Sequence, residues 1–285
     1  MVPGANDVLD TTMAASLIDT RLQAHHAAQF AAAAGISYLP AGADDSHTNL
    51  EWLPELGALA SHIVPGPSPF RIALRIADLT LLIVDAGGVA TSSFALHGRT
   101  VADAATWLRA RLNDLGTDGR RYTLTRHYVI PVHPVGNGAA FDTTEGDAFE
   151  QLAAWYACAA EELTTIRASN GASEVRCWPH HFDIAVLIEP GARQSIGVGL
   201  EPGDEYYDEP YFYVNIHPAP SLDALDERLS GNGRWHTREW IGGVLTGSRI
   251  TSDDGQRTQI RRFLESAIAI ARSLLAHTPA SATST

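Results

Sequence analysis

Apolar residues recur every third or fourth position in some stretches of the chain and alternate or run together in others, and this change of period sets out its elements. Leu9, Met13, Leu17, Leu22 and Phe30 lie near helical spacing in an alanine-rich opening, until "LPAGADDSHTN" breaks the pattern with Pro40 and Gly42. The pattern predicts one helix, a loop, and a short second helix that ends at "PGPSP" (Pro65 to Pro69). "FRIALRIADLTLLIVDAGGVATSSFAL" reads as two or three paired strands, with Asp85, Gly87 and Gly88 as a hairpin turn. "TVADAATWLRARLNDLG" opens with Thr100 and Asp103 in capping-box spacing, aligns Val101, Ala104, Leu108, Leu112 and Leu115 on one face, and stops at Gly116. Thr123 to Val132 ("TLTRHYVIPV") reads as a strand, and Thr144 with Asp147 caps a helix whose buried stripe is Phe149, Leu152, Tyr156, Leu163 and Ile166.

From Glu174 onward come "EVRCWPHHFDIAVLIEP", "QSIGVGLEP" and "PYFYVNIHP", three strand-like runs whose short breaks favour antiparallel pairing. "REWIGGVLTG" predicts a further strand. "TQIRRFLESAIAIARSLLA" predicts a closing amphipathic helix with Ile260, Phe263, Leu264, Ala267, Ile270 and Leu274 facing inward. The fold class is therefore α+β, with mostly antiparallel sheets packed against amphipathic helices, in an order that suggests two similar lobes. The expected division is an N-terminal helical segment over 1–64, an α+β core domain over 65–277 and a disordered tail over 278–285.

Composition narrows the functions this fold could serve. A chain of 285 residues with 45% hydrophobic content can bury a sizeable core. Its formal net charge of -13 argues against nucleic acid and against an acidic membrane surface, because both require clustered cations. All 20 cationic side chains are Arg, which excludes a Schiff-base lysine and the lysine of a P-loop. Cys158 and Cys177 form neither a disulfide framework nor a CxxC motif, so buried thiols in a reducing compartment are expected. The opening "MVPGANDVLDTTMAASL" carries Asp7 and Asp10 where a signal peptide needs a basic start, and Arg71, Arg75 and Asp78 interrupt the most apolar region. A cytoplasmic location follows as the expectation.

Strand parity then points to a place for chemistry. His181 and Asp183 share one face of their strand, opposite Phe182, Ile184, Val186 and Ile188, with His180 on the other face or just outside the sheet. On the later strand Tyr211, Tyr213, Asn215 and His217 share a face opposite Phe212, Val214 and Ile216. If the two strands lie near each other, their polar faces form one pocket wall. His181, Asp183 and His217 are its candidate catalytic groups, and Trp178, His180, Tyr211, Tyr213 and Asn215 its candidate ligand contacts. The carboxylates Glu201, Asp204, Glu205, Asp208 and Glu209 in "GLEPGDEYYDEP" would attract a cation or serve as a solvated loop. His127 and His133 share a parity with Thr125. Trp235 to Arg249 concentrates two Trp, a His and two Arg suited to contact or to core.

No HExxH or HxH spacing, G-x-S-x-G elbow or dinucleotide loop is present; "GVGLEPG" has Pro202 where the last needs glycine. A nucleotide cofactor therefore has no motif, while a divalent metal stays open.

The order "FRIALRIADLTLLIVDAGG…SFAL", "TVADAATWLRARLNDLG", "WPHHFDIAVLI", "YFYVNIHPAP" resembles a bacterial family defined by a domain of unknown function. In its members a Trp, a short polar step and Phe-Asp-Leu-Ala precede an aromatic strand ending in Pro. The resemblance covers about residues 50 to 220 and implies that Trp178, Phe182 and Asp183 form a recurring unit; it implies no reaction. Pro179, His180 and His181 depart from the small residues that many relatives carry there. Three readings result: a binder of a small polar ligand in a His/Asp/Tyr-lined pocket, a metal-dependent or His/Asp general-base hydrolase, and a structural protein with a satisfied buried polar network.

Overall fold

Alanine dominates the first long helix because that helix is enclosed on nearly every side. In the computed structural model, which describes residues 9–11, 14–225, 227–251 and 255–277, helix α1 (Ile18–Tyr38) buries Ala24, Ala27, Ala28, Phe30 and the four alanines from Ala31 to Ala34. A helix buried on most of its faces belongs inside a fold, and small side chains let its neighbours come close. At Gly35 the approach is closest: a Cβ there would lie 2.0 Å from the carbonyl oxygen of His47, where the loop after the helix folds back over it.

The chain divides into two units. The first takes 15–157 and 176–184. Its sheet runs in the order β1 (Glu51–Leu53), β2 (Ala58–Ala60), β3 (Phe70–Arg75), β4 (Thr80–Asp85), β5 (Ala90–Ala95), every neighbour antiparallel, and α1 packs across β3. The hairpin between β4 and β5 forms as predicted: the Asp85 carboxylate accepts the Gly87 and Val89 N–H groups, each at 2.9 Å, and Gly88 takes a φ of 86°. Helix α2 (Val101–Asp114) carries its predicted capping box and ends before Gly116, whose φ is 76°. The start of α3 (Gly146–Asn170) and the short β6 (Arg176–Trp178) complete this unit, with Leu50 bridging to Cys177.

The second unit takes 158–175, the described residues from 185 to 277, and the short piece around Leu9. Strands β7 (Asp183–Gly191), β8 (Gln194–Glu201), β9 (Tyr211–His217), β10 (Arg234–His236) and β11 (Gly242–Thr246) belong to a six-stranded sheet in the order β10-β11-β9-β8-β7-β6. Helix α4 (Gln256–His277) lies against β9, β8 and β11, burying Ile260, Phe263, Leu264, Ala267 and Ile270 as predicted, with Leu275 buried instead of Leu274. The fold is α+β with antiparallel sheets, and the order of helix, strands and helix occurs twice. Among the described residues, no helix is long and apolar enough to cross a membrane.

Several predicted elements are corrected. No second α-helix precedes "PGPSP"; the segment holds only a single 3-10 turn, Ser46–Thr48, before two strands. Gly57, at a φ of 57°, turns β1 into β2, and β2 is wholly buried because it pairs with β1 and β3 on its two edges and packs Ala58 and Ala60 into the core. The segment expected to be helical over 1–64 therefore supplies two strands, and 64/65 is not a unit boundary. Thr123 to Val132 is not a strand. Thr123 N–H goes to the Ser37 hydroxyl, Thr125 N–H goes to the Thr123 hydroxyl, and Pro131 has no N–H, so side chains take the place of a ladder. The run from Glu174 to Pro190 is broken by a turn between β6 and β7. Met13 and the expected tail over 278–285 lie outside the described residues.

Candidate functional site

The turn that breaks the run is Pro179 to Phe182, and it is held from both sides. His181 and Phe182 give their N–H groups back to the Trp178 carbonyl, at 3.2 and 2.7 Å, and Phe182 adopts a φ of 70°. The Pro179 carbonyl accepts two donors from α1, His25 Nε2 at 2.9 Å and Gln29 Nε2 at 2.8 Å. The His25 ring stacks on Phe182 at 5.1 Å and 9°, and the Tyr156 hydroxyl donates to the Phe182 carbonyl. Because a carbonyl only accepts, His25 carries its proton on Nε2. Burial pushes its pKa down to about 3 against the opposing pull of the Pro179 carbonyl, and the positive charge on His26, Arg126 or His181 lowers it further. His25 is thus a neutral strut.

The turn presents rings to the outside. His180 and His181 lie 4.4 Å apart between centroids, Trp178 meets His180 at 6.0 Å, Tyr128 meets His180 at 5.8 Å, and His127 meets Tyr128 edge-on at 5.3 Å. Trp178, Tyr128 and His180 are half-buried, whereas His127 and His181 are exposed. Gln29 ties this array to the turn: its Nε2 serves Pro179 and its Oε1 accepts the Tyr128 hydroxyl at 2.9 Å. Burial pushes the Tyr128 phenol up to about 12, so it remains a donor. His127 Nε2 meets the Asp45 carboxylate at 2.9 Å. Burial also holds His180 below its ordinary pKa, helped by His181. Asp183, 7% exposed, opens β7 beneath the turn.

In the second unit the parity read for β9 holds. Phe212, Val214 and Ile216 are buried, while on the other face Tyr213 is half-buried, Asn215 and His217 are exposed, and Tyr211 is buried. Tyr211 gives its hydroxyl to Asp204 Oδ2 at 2.7 Å, and Asp204 Oδ1 accepts the N–H groups of Tyr206 and Tyr207 at 2.8 and 3.0 Å. Asn215 Oδ1 accepts the Gly197 N–H at 3.0 Å, and a Cβ at 197 would sit 2.4 Å from that oxygen, so a larger residue there would displace the Asn215 side chain. His236 stacks on Trp240 at 4.2 Å, donates from Nε2 to the Arg238 carbonyl at 2.6 Å and accepts the Tyr207 hydroxyl on Nδ1 at 2.8 Å. Both of its ring nitrogens are occupied. In the acidic run, Asp204 closes its own loop and Glu209 accepts the Ser248 N–H and hydroxyl, while Glu205 and Asp208 face solvent.

The residues of the single wall predicted from parity fall in two different units. The left-handed Phe182 resets the alternation, so His181 is exposed while Asp183 is buried, and in the sheet β8 lies between β7 and β9. Trp178, His180, His181 and Asp183 belong to the first unit; Tyr211, Tyr213, Asn215 and His217 belong to the second. His127 and His133, with no strand beneath them, do not share a face. His133 is buried, donates from Nε2 to Asp19 at 3.0 Å and accepts the Val135 N–H on Nδ1.

Sequence reasoning passed over His25, Gln29, Tyr128 and Asp45. The available signal was on α1, where Arg21, His25 and Gln29 recur every fourth residue along an alanine-rich helix and are all buried. Among the described residues, no group of three or more His, Cys, Asp or Glu side chains is placed to hold a metal ion. Comparison with protein-family models, with curated proteins and with solved structures finds no match.

Proposed function

We propose that the chain is a binding protein whose ligand, a small polar molecule with a flat or hydrogen-bonding face, lies against Trp178, His180, His181, Tyr128 and His127. The observation that carries this reading is the array of five rings held in register by Gln29 and by the pinned Pro179 turn. Rings fixed before the ligand arrives lose little freedom on binding, and each neutral imidazole offers one donor and one acceptor. Stacking on such rings contributes about 0.5–1.5 kcal/mol per pair beyond area burial. The test is an NMR screen of small polar aromatics and polyols, reading the ring signals of His180 and His181. A hit should shift those signals and weaken by about tenfold in Trp178→Ala or His180→Ala with little loss of melting temperature. Hits that leave those signals unmoved, or variants that lose stability and no affinity, would overturn the reading.

One observation favours a hydrolytic reading at the same surface. The Asp45 carboxylate holds Nε2 of the exposed His127, the arrangement that orients an imidazole as a general base through Nδ1. Turnover of small activated esters that is lost in both His127→Ala and Asp45→Asn, at unchanged melting temperature, would establish it. Turnover indifferent to both substitutions would remove it.

A further inference from the structure

The first unit also holds a groove whose lining shares no residue with the ring array. The segment after α1 and the segment between β2 and β3 enclose this open groove of about 570 Å³, bounded by Leu39, Pro40, His47, His62, Ile63 and Arg71. That volume falls in the range of small-molecule sites. Its two sides differ in chemistry. Leu39, Pro40 and Ile63 make an apolar rim, with Ile63 41% exposed. The other side carries Arg71, whose Nη1 reaches Glu51 Oε2 at 2.7 Å; Arg176, outside the groove's lining, brings its Nη1 to the same oxygen at 3.3 Å, so two guanidinium groups share one carboxylate. Both arginines are half-buried, with side chains 19% and 21% exposed. A guanidinium has five N–H donors, and the Glu51 contact uses one from Arg71.

The two histidines in the groove fit this polarity. His47 Nδ1 accepts the Gly42 N–H at 3.1 Å, which leaves its proton on Nε2 as a further donor. His62 Nε2 donates to the Ser46 carbonyl and to Asn49 Oδ1, at 3.0 and 2.8 Å, fixing the ring and the Ser46 loop together. Burial, followed by the positive charge of Arg176, holds His62 below its ordinary pKa, with Arg71 adding to it, as a locally positive field would. Of the carboxylates on the loop, Asp44 is exposed and accepts the Ser46 N–H at 3.1 Å, and Asp45 is paired with His127 at 2.9 Å. On a chain of net charge -13, a half-buried pair of arginines that outnumbers its carboxylate is a localised attraction for an anion.

We propose that this groove binds a small organic carboxylate, its anionic end toward Arg71 and His47 and its apolar body on Leu39, Pro40 and Ile63. The proposal does not rest on the ring-array reading. The experiment is calorimetric titration of the full chain with phenylacetate, with phenylacetamide as the uncharged isostere and inorganic phosphate as an anion without a body. Phenylacetate should bind at least about tenfold more tightly than either control, and Arg71→Gln should remove that preference. His47→Ala, a change at a half-buried loop residue, should weaken phenylacetate severalfold and keeps the test decisive if Arg71→Gln does not fold. His180→Ala should leave phenylacetate binding unchanged, so failure of the ring-array reading is scored separately. Equal binding of acid and amide, equal binding of phosphate, or no phenylacetate binding at millimolar concentration would each overturn the proposal.

Discussion

Replacing His25 by Gln tests whether a neutral buried imidazole supports the Pro179 turn. His25 is 5% exposed, and burial brings its pKa from 6.5 in the unfolded chain to about 3 in the fold. Above pH 6.5 both states are neutral, and the group imposes no pH-dependent cost. As the pH falls from 6.5 toward 3, the unfolded chain takes up a proton that the fold refuses, so stability falls by about 1.4 kcal/mol for each pH unit. Going from about pH 7 to about pH 5 should therefore destabilise the wild type by about 2 kcal/mol through His25 alone. His26, His62 and His180 have lowered pKa values for the same leading reason and add loss of the same sign. The His25→Gln variant isolates the single residue, since a glutamine amide can still donate to the Pro179 carbonyl but does not titrate. Urea midpoints of both proteins at the two pH values, at constant m, give the comparison. The variant should be about 1–2 kcal/mol less stable at neutral pH for want of the stack on Phe182, and should lose about 2 kcal/mol less than the wild type on acidification. Equal acid losses in the two proteins would refute the reasoning.

Gly35→Ala drives a methyl group against the His47 carbonyl and should lower stability by about 2 kcal/mol or more; a melting temperature within error of the wild type would count against the close approach. Arg261 makes paired bonds of 3.1 and 3.0 Å to Glu162, whose side chain is 3% exposed while that of Arg261 is half exposed. Arg261→Met should therefore cost about 1–3 kcal/mol by urea titration, and Arg261→Met with Glu162→Met together should recover part of it. Cys158 has its thiol pushed up to about 12 by burial and Cys177 is fully buried, so a thiol reagent should label neither in the native protein and both in urea; fast native labelling would contradict this burial.

What the sequence conveys about this fold depends on how local each signal is. The capping box at Thr100 and the Asp85 turn rest on residues close together in the chain, and the α4 stripe on a regular local period; the first two form as read, and the stripe does so from Ile260 to Ile270. The β1 to β2 hairpin escapes such reading because its three-residue strands are too short to show a period. They are strands by virtue of their partners: β2 pairs with β3, and β1 with β2. The Thr123 to Val132 segment has the composition of a strand, yet its backbone donors find Ser37 and Thr123 side chains, and composition carries no record of such partners.

The candidate site illustrates the same dependence at its functional residues. Parity along Trp178 to Ile188 assumes continuous extended backbone, and a single left-handed residue, Phe182, shifts the phase of everything before it. That conformation is unfavourable for an aromatic residue in isolation, so the surroundings must hold it. They do so from a distance: His25 and Gln29 capture Pro179 across 154 and 150 residues of sequence, and the Tyr156 hydroxyl takes the Phe182 carbonyl. On β9, by contrast, every residue from Tyr211 to His217 pairs with β8 without a break, and Tyr211 to Asn215 pair with β11 as well, so parity alone orders its two faces correctly. The histidines of the turn could be recognised as conspicuous from sequence. Which of them faces outward is decided by the polar stripe of α1, so the outward rings of His180 and His181 and the buried ring of His25 are two ends of one construction.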